Sequence, residues 1–421
     1  MLVGERILAE FIKPKPTLLI LGAGIDQTFP IKVAQEMGLR VLVADSDPDA
    51  PGFHIADEFS LTSNRDVVAL KVLCDKSASR GFPVVGILVM GTDIPHIAAE
   101  LSNYLNIPGP SFDTGRWTTN KYLMKKRLVE AGVPVPWFAM VDNYEDLKRK
   151  IGEKGVGKFV IKPTDRSGAR GVFVIGVNDS DLEILYNEAK AESNCGEVIL
   201  EEFIEGDQIS TESILWHGKA YTPGFVDRNY EMLNKFAPHV IENGGTHPSK
   251  ISCELKGKVK ILVEQAALAL GIFNGVAKGD VVVSLDGYPM IIEMAARLSG
   301  GDFSESLIPL GCGVNIVRAA IQIAVGDVPN LKKLEDKWER FVANRYFFSH
   351  PGKIISVSGL EEARKFDWLK KLDLNVVPGD SIEKIKSHVG RLGVFIVVAD
   401  SESELRDRIK IIYDLIRMEV H

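Results

Sequence analysis

The sequence predicts a multidomain protein of the α/β and α+β classes. In the first 110 residues, short β-rich runs alternate with helical patterns, which is typical of a doubly wound parallel sheet. From Lys158 onward, strands separated by tight turns dominate, and these indicate antiparallel hairpins. The length of 421 residues corresponds to about three domains.

The predicted first domain, residues 1–112, carries its strands in three apolar runs. These runs are Thr17–Leu21, Arg40–Ala44 and Val84–Met90, with a helix predicted between the first two. Gly or Asp residues follow each run, and ligands bind at the carboxyl ends of the strands in sheets of this type. The run Pro108-Gly109-Pro110-Ser111 marks the predicted end of this domain, because proline and glycine interrupt regular structure.

Residues 113–330 and 331–421 are the two remaining predicted domains. Strands of the second are expected at Phe159–Lys162, Val172–Ile175, Val198–Phe203, Ile209–Trp216, Asp280–Leu285 and Met290–Met294. Its helices are expected at Thr118–Ala131 and Lys256–Leu270. The third is predicted to be a small α+β domain, with strands at Arg345–Phe348 and Gly393–Val398 and a final helix at Ser401–Arg417.

Composition and charge exclude several classes of protein. The 50 basic and 57 acidic residues give a net charge of −7, which disfavours electrostatic binding of nucleic acid. No stretch approaches 18 apolar residues, so no membrane span is expected. The first residues include Glu5, Arg6 and Glu10, where a signal peptide needs an apolar run. The four cysteines have neither metal-ligand nor C-x-x-C spacing, so a protein of the reducing cytoplasm is predicted.

The first glycine-rich turn, Gly22-Ala23-Gly24, resembles part of a dinucleotide-binding fingerprint. The third glycine of that fingerprint is replaced by Gln27, whereas Asp45 has the spacing of a ribose ligand. Three interpretations stay open. The turn could be structural, it could bind a nicotinamide cofactor, or the helix after it could hold a carboxylate or phosphate at its N-terminus.

A stronger signal begins with two lysines, Lys121 and Lys162. Lys162 ends an apolar predicted strand, and a buried ammonium group is costly unless an anion meets it. The glycine-rich run Ser167–Val172 follows, and the backbone N–H groups of such a turn can enclose phosphates. A plain hairpin turn is the alternative, but the strand lysine before it favours a phosphate site.

Two clusters of acidic residues follow on later strands. An apolar predicted strand ends in Glu201 and Glu202. This end could be solvated, or it could present backbone groups to adenine and side chains to ribose. Asp280 and Glu293 lie on adjacent predicted antiparallel strands, where they can converge on a hard divalent cation that also binds phosphates. Arg297, four residues after Glu293, offers a fork to a phosphate or carboxylate, although an ordinary Glu–Arg ion pair is the alternative.

The order of these signals resembles the ATP-grasp superfamily over nearly the whole chain. The run V-A-D-S-D-P-D-A-P-G-F-H-I-A-D, residues 43–57, is similar to its pre-ATP-grasp domain. The texture is most similar to the carboxylate–amine ligase group, which includes biotin carboxylase, carbamoyl phosphate synthetase and the L-amino acid ligases. The resemblance implies a pre-ATP-grasp parallel-sheet domain at 1–112, an ATP-grasp fold at 113–330 and a C-terminal domain at 331–421.

The resemblance also implies an ATP site. Lys121 and Lys162 would hold the phosphates, with Lys162 also catalytic, and the loop that contains Ser167, Gly168 and Gly171 would close over them. Glu201 would meet the adenine amino group, and Ile204 would offer its backbone N–H. Glu202 belongs to the same acidic segment, and Gln208 stands where many relatives place a ribose-binding acid.

A metal site and a substrate site are implied in the same way. Asp280 and Glu293 match two carboxylates that bind Mg²⁺ or Mn²⁺, but Ala295 replaces the asparagine of the family's E-x-N-x-R pattern and removes one oxygen ligand. Arg297 matches the catalytic arginine that steadies the acyl phosphate. The implied substrate residues are Arg297, Glu242 for an ammonium group, His247 in orienting the substrate, and Ser299, Gly300 and Gly301 as an anion-binding turn.

The activity that the resemblance implies is ATP-dependent ligation of a small carboxylate to an amine through an acyl phosphate, with release of ADP and phosphate. A homodimer through the first domain, with no nucleic-acid or membrane partner, is expected. Formate activation, bicarbonate activation and carbamoyl phosphate synthetase-like chemistry are alternatives. An inactive nucleotide-binding regulator, which Ala295 favours, and a nicotinamide-dependent oxidoreductase, which Gln27 disfavours, are others.

Overall fold

The computed structural model describes residues 15–155 and 157–421. The first 14 residues, with Glu5, Arg6 and Glu10, and Val156 lie outside the described residues. The described chain contains a four-stranded parallel sheet, two antiparallel sheets of four and eight strands, and a small three-stranded sheet. Among these residues, no helix combines the length and apolar character that a membrane crossing requires.

The first region is the predicted parallel sheet, with strands in the order β3-β2-β1-β4. Its elements are β1 (Thr17–Leu21), α1 (Ile25–Glu36), β2 (Arg40–Asp45), β3 (Glu58–Leu61), α2 (Val67–Ser79), β4 (Val84–Val89) and α3 (Pro95–Leu105). Buried aliphatic side chains alternate between the two faces of β1, so that each face packs on its own hydrophobic core. The three predicted strands are confirmed.

The second region begins with α4 (Phe112–Trp117) and α5 (Lys121–Glu130) and continues into an antiparallel sheet of order β5-β8-β6-β7. Its elements are β5 (Phe138–Val141), α6 (Tyr144–Lys154), β6 (Lys158–Pro163), β7 (Phe173–Gly176), α7 (Leu182–Glu192) and β8 (Val198–Glu202). Helices α6 and α7 bury their apolar sides against this sheet in a separate core. The sheet forms one wall of the cleft described below.

The other wall is an eight-stranded sheet of order β13-β12-β9-β10-β11-β14-β18-β16. In chain order the elements are β9 (Gly206–Trp216), β10 (Lys219–Arg228), α8 (Leu233–Phe236), β11 (Gly245–His247), α9 (Cys253–Ala269), β12 (Gly275–Ser284), β13 (Pro289–Ala295), α10 (Ile308–Cys312), α11 (Ile316–Ala324), β14 (Phe341–Tyr346), β15 (Gly352–Ser358), α12 (Leu360–Ala363), β16 (Leu369–Leu374), β17 (Ser381–Ile382), β18 (Gly393–Ala399), α13 (Glu402–Leu415) and β19 (Arg417–Val420). Strands β17, β15 and β19 form the small sheet.

The eight-stranded sheet runs across the predicted boundary between residues 330 and 331. Strand β11 pairs with β14 through Thr246↔Ala343 and His247↔Val342, so the last region extends the sheet of the middle one. Helix α11 packs instead on the first region, in the core that contains Leu18 and Ile20. The predicted domain limits therefore stay a prediction. One sheet and one hydrophobic core extend across the limit predicted after residue 330 or join regions on either side of it.

Candidate active site

A cleft between the second sheet and the eight-stranded sheet collects most of the predicted site residues. It encloses about 1060 Å³, including space open to solvent. The predicted residues that line it are Lys121, Lys162, Ser167, Gly168, Glu201, Glu202, Ile204, Gln208, Asp280, Glu293 and Arg297. The two sheets thus bring together positions that are up to 176 residues apart, from Lys121 to Arg297.

Lys162 is held at the floor of the cleft by Glu201. Strands β6 and β8 are neighbours, and the Lys162 Nζ lies 2.9 Å from the Glu201 Oε2. The other carboxylate oxygen lies 3.4 Å from the Nζ of Lys125, whose side chain is 0% exposed. Burial alone would raise the pKa of Glu201, but the two lysines hold it below its usual value. Burial lowers the pKa of Lys125 to about 8. The Glu201 carboxylate already contacts two lysines, so the geometry does not support its predicted contact with adenine. That contact stays a prediction.

Lys121 reaches the cleft from the first turn of α5. Asn120 caps this helix by accepting hydrogen bonds from the backbone N–H groups of the first turn. The Lys121 Nζ donates to the Arg166 carbonyl at 2.8 Å and lies 3.3 Å from the Glu293 Oε1. Burial opposes the charged form, but Glu293 and Asp93 raise the pKa of Lys121 above its usual value. An ammonium group therefore faces the cleft beside the acidic pair.

The glycine-rich loop between β6 and β7 uses its glycines for two purposes. Gly168 and Gly171 have φ values of 68° and 66°, in the left-handed region that glycine favours. Gly168 lines the cleft, whereas Gly171 packs on α7, where an added Cβ would lie 3.2 Å from the Ala189 Cα. The Gly168 carbonyl accepts a hydrogen bond of 3.0 Å from the His388 N–H. This bond ties the loop to the last region of the chain.

Asp280 and Glu293 face each other across β12 and β13 as register partners. Asp280 accepts a 2.8 Å hydrogen bond from the Ser210 hydroxyl and is paired with Lys278 and Arg228, the latter at 3.0 Å. Despite burial, these cations hold the pKa of Asp280 far below its usual value. Directly opposed residues on one face of a sheet are close enough to share a ligand.

The donor set of this acidic pair fits a hard divalent cation. Carboxylate oxygens suit Mg²⁺, which usually keeps only one or two protein carboxylates and takes phosphate and water oxygens besides. Within the described part of the chain, no group of three or more His, Cys, Asp or Glu side chains could enclose a metal alone. Ala295 is buried in β13 and offers no ligand atom, and Lys278 stands opposite it in register.

Arg297 is fixed by the first region of the chain. Its Nε and Nη2 donate to the Asp93 Oδ1 at 2.8 and 2.6 Å, and the residue is 9% exposed. Burial would raise the pKa of Asp93, but Arg297 lowers it to about 2. Asp93 follows β4, at the carboxyl edge of the parallel sheet. The fork of Arg297 is therefore oriented by a residue 204 positions away.

A second cavity, here called the junction cavity, adjoins the cleft at Arg297. It encloses about 1140 Å³, including space open to solvent, and residues of all three regions line it. The predicted substrate residues Glu242, Arg297, Ser299, Gly300 and Gly301 are among them. Six residues line both spaces, namely Ser167, Gly168, Arg228, Lys278, Arg297 and His388. These six residues form a wall that the two spaces share.

Glu242 is already paired in this cavity. Its Oε2 lies 2.8 Å from the Arg228 Nε, and its Oε1 lies 3.6 Å from the Arg391 Nη2. Burial would raise the pKa of Glu242, but both arginines keep it below its usual value. Its predicted contact with a substrate ammonium group therefore gains no support from the geometry.

His247 lies outside both spaces. It is 5% exposed, its Nδ1 is 3.1 Å from the Phe225 carbonyl oxygen, and Gly311 packs on its ring. Burial lowers its pKa. The orienting role predicted for His247 stays a prediction that the geometry does not support.

The Gly22-Ala23-Gly24 turn is taken up by contacts within the protein. The Asp45 Oδ2 accepts the Ala23 N–H at 2.7 Å, and the Gln27 Nε2 donates to the Met90 carbonyl at 2.6 Å. Asp26 accepts the Gly301 N–H at 3.1 Å and lies so close to Gly300 that an added Cβ would approach its Oδ2 to 2.1 Å. The turn joins two regions, and the interpretation as a nicotinamide site has no support here.

Several residues that build the site have no sequence motif of their own. They are Asp93, Lys125, Arg228, Lys278, His388 and Arg391. A detectable signal exists for Asp93, since it follows a parallel strand at the edge where ligands bind. Lys278 and Asp280 are two apart on one strand, so their side chains share a face. For His388 and Arg391, no local pattern connects them to the cleft.

Comparisons with known proteins agree with this geometry. A family model described as the ATP-grasp domain matches residues 118–301, and one described as L-amino acid ligase C-terminal domain 2 matches residues 345–421. The L-arginine-specific L-amino acid ligase of Bacillus subtilis is 25% identical over 73% of each chain. The formate-dependent phosphoribosylglycinamide formyltransferase of Paraburkholderia xenovorans is 28% identical over 62% of this chain and 58% of its own. The crystal structure of an L-amino acid ligase from Bacillus licheniformis superposes with a TM-score of 0.82, covering 97% of this chain and all of that one at 21% identity.

Proposed function

We propose that this chain, a member of the ATP-grasp superfamily, is an ATP-dependent ligase that joins a small carboxylate to an amine through an acyl phosphate. One observation carries the proposal. A cleft with two cleft-facing lysines, a glycine loop and an opposed carboxylate pair shares Arg297 with a second cavity large enough for small substrates. The similarity to an L-amino acid ligase over 73% of each chain supports the same chemistry.

In the first step, a carboxylate oxygen of the substrate attacks the γ-phosphorus of ATP, the bond to the β-phosphate oxygen breaks, and ADP leaves. Lys121 and Lys162 bind phosphate oxygens, and Glu201 keeps Lys162 in place. The loop at Ser167 and Gly168 covers the same space. Phosphoryl transfer depends mainly on such positioning and on neutralising charge.

Asp280 and Glu293 would hold Mg²⁺ or Mn²⁺, and the bound cation would supply positive charge that offsets the charge of the phosphates. With Ala295 in place of an amide, these two carboxylates are the protein ligands we propose. Of the cations now paired with them, Lys278 and Lys121 would turn towards phosphate, whereas Arg228 would keep its pairing with Glu242.

In the second step, the amine nitrogen attacks the acyl carbon, the bond to the phosphate oxygen breaks, and phosphate leaves while the nitrogen loses a proton. Arg297, oriented by Asp93, binds the negative charge that develops on the acyl phosphate. The Gly168–His388 hydrogen bond holds the loop over this point and keeps water from the intermediate.

Release of ADP tests the proposal directly. Purified protein, ATP and Mg²⁺ are incubated with mixtures of amino acids and small carboxylic acids, and mass spectrometry searches for the amide. We expect ADP release that needs both a carboxylate and an amine. Tight ATP binding without turnover for any pair would contradict the ligase and favour an inactive nucleotide-binding regulator.

A formate-activating enzyme is the second candidate, because a formate-dependent formyltransferase is 28% identical to this chain. Replacing the carboxylate mixture with formate separates the two. ADP release with formate alone as carboxylate would favour this candidate, whereas release only with larger acids supports the ligase. Bicarbonate in the same assay tests the carbamoyl phosphate synthetase-like alternative.

We further propose small-molecule partners, a homodimer and a cytoplasmic location. All four cysteines, Cys74, Cys195, Cys253 and Cys312, are free thiols, which fits a reducing compartment. Light scattering of the purified protein tests the dimer.

A further inference from the structure

We propose that the junction cavity binds an anionic group in addition to the carboxylate that reacts, and that Arg391 holds this second anion. The inference rests on the proposed function, because it concerns a substrate of the same site. The group recognised would be a carboxylate. It would bind at the end of the cavity that Arg391, Tyr346 and Glu242 form.

Arg391 has a donor that no protein group uses. Its side chain is 13% exposed and its guanidinium lies 3.7 Å from the centre of the Tyr346 ring. The Nη2 donates to the Glu242 carbonyl at 2.6 Å, but the buried Nε has no hydrogen-bond partner among the described residues. A buried N–H of a charged group is costly to leave unpaired. The protein therefore leaves the guanidinium of Arg391 incompletely hydrogen-bonded, at a residue that lines the cavity.

The charge around Arg391 is not balanced by the protein. The Glu242 carboxylate is shared by two guanidinium groups, those of Arg228 and Arg391. Arg228 also lies 3.0 Å from Asp280, a carboxylate that we assign to the metal. When a cation takes Asp280, two arginines are left with one acid, and this end of the cavity carries an excess positive charge.

A second cation of the cavity, Arg170, has no acid partner among the described residues. Arg170, in the glycine loop, is half-buried, and within the described chain its side-chain hydrogen bonds go to Ser167. The acids that line the cavity are Glu242, already shared, and Asp26, which packs against Gly300 and accepts the Gly301 N–H. The lining thus favours an anionic ligand over a cationic one.

The reacting carboxylate and the second anion would occupy one cavity. Arg297 and Arg391 line the same cavity of about 1140 Å³, so a reacting carboxylate at Arg297 leaves room for a second anion at Arg391. Two sources of that anion exist. It is either a second carboxylate on the acid that is activated, or the carboxylate of an amino acid that serves as the amine.

Binding of isosteric pairs tests the inference without turnover. Calorimetry on the full chain with Mg²⁺ and a non-hydrolysable ATP analogue compares glutamate with glutamine, aspartate with asparagine, and glycine with glycinamide. The first two pairs test a second carboxylate on the activated acid, and the third tests the carboxylate of the amine. We expect the member with the additional carboxylate to bind about tenfold more tightly in at least one pair.

Variants of Arg391 assign the effect to this residue. In Arg391→Ala the preference should fall to about onefold, and Arg391→Lys should restore part of it, because it keeps the charge. Arg364→Ala, which removes an exposed arginine that pairs with Glu361, should keep the full preference. Since the readout is a ratio within one variant, a general loss of affinity does not imitate the result.

Two outcomes would overturn the inference. Equal or tighter binding of the amide member in every pair excludes a second anion, and an unchanged preference in Arg391→Ala assigns it elsewhere. Turnover is a separate measurement. A charge preference that depends on Arg391, without ADP release from any pair, would sink the ligase proposal and leave the anion site standing.

Discussion

The cleft and the junction cavity share a wall but are assembled in different ways. In the cleft, Lys162, Glu201, Asp280 and Glu293 lie on neighbouring strands of two sheets, and their partners are set by strand register. In the junction cavity, the hydrogen bonds that orient Arg297 and Arg391 span 204 and 149 positions. In the function that we propose, phosphate binding thus depends on residues positioned by the sheets, and substrate selection depends on how separate regions meet.

Among the variants proposed here, Glu293→Gln in the cleft should lower activity the most. The substitution removes a proposed metal ligand and one partner of Lys121, so we expect kcat to fall by roughly 10³-fold with the fold intact. The rate of ADP release measures kcat, and far-UV circular dichroism checks that the fold is intact. Glu335→Gln changes an exposed glutamate in the same way and should leave kcat at the wild-type value. Activity in Glu293→Gln would show that the acidic pair is assigned wrongly.

Arg297→Lys tests the wall that both spaces share. Lysine keeps the charge but loses the fork that Asp93 orients, so kcat/KM should fall about 100-fold. Steady-state kinetics with a saturating nucleotide give the value. Arg406→Lys, at an exposed ion pair of α13, is the matched control and should behave as wild type. A loss of less than about threefold would remove Arg297 from the chemistry.

Lys125→Met addresses the buried support of the cleft through the pH dependence of stability. The pKa of Lys125 is about 8 in the folded chain and near 10.5 when unfolded, so the unfolded state binds more protons between these values. The free energy of unfolding should therefore rise with pH through this window, by up to about 3 kcal/mol.

Urea unfolding at a series of pH values from 7.5 to about 10 measures that slope. The variant Lys125→Met should lose the slope, and Lys126→Met, at the exposed neighbouring position, should keep it. Identical slopes in both variants would mean that Lys125 is not the titrating group.

His247→Asn should have the smallest effect, and only on stability. Loss of the contact with the Phe225 carbonyl should lower the free energy of unfolding by about 1 kcal/mol, while KM for both substrates stays within about twofold. Denaturant melts and steady-state kinetics provide the values. A tenfold rise in one KM would instead restore the orienting role that the sequence suggests for this residue.

The same contrast explains what could be predicted from the sequence. The strands, the lysine pair, the glycine loop and the acidic pair are local patterns. The structure places both lysines, the loop residues Ser167 and Gly168, and the acidic pair at one cleft. His388 and Arg391 are single residues in segments without a motif, and only the meeting of separate regions gives them partners. For Glu242, the sequence predicts a contact with a substrate ammonium group. Its pairing with two arginines is not visible locally, because they lie 14 and 149 positions away.

The pairing of β11 with β14 has a consequence for building chimeras from related chains. On β14, Asn344 and Tyr346 face the junction cavity, while Arg345 between them lines a groove on the opposite face. Only two residue pairs set this register. If a grafted C-terminal segment slipped by one position, Tyr346 would turn away, its stack with Arg391 would be lost, and an arginine would enter in its place. A graft that folds could therefore carry altered specificity with every substrate residue still present in its sequence.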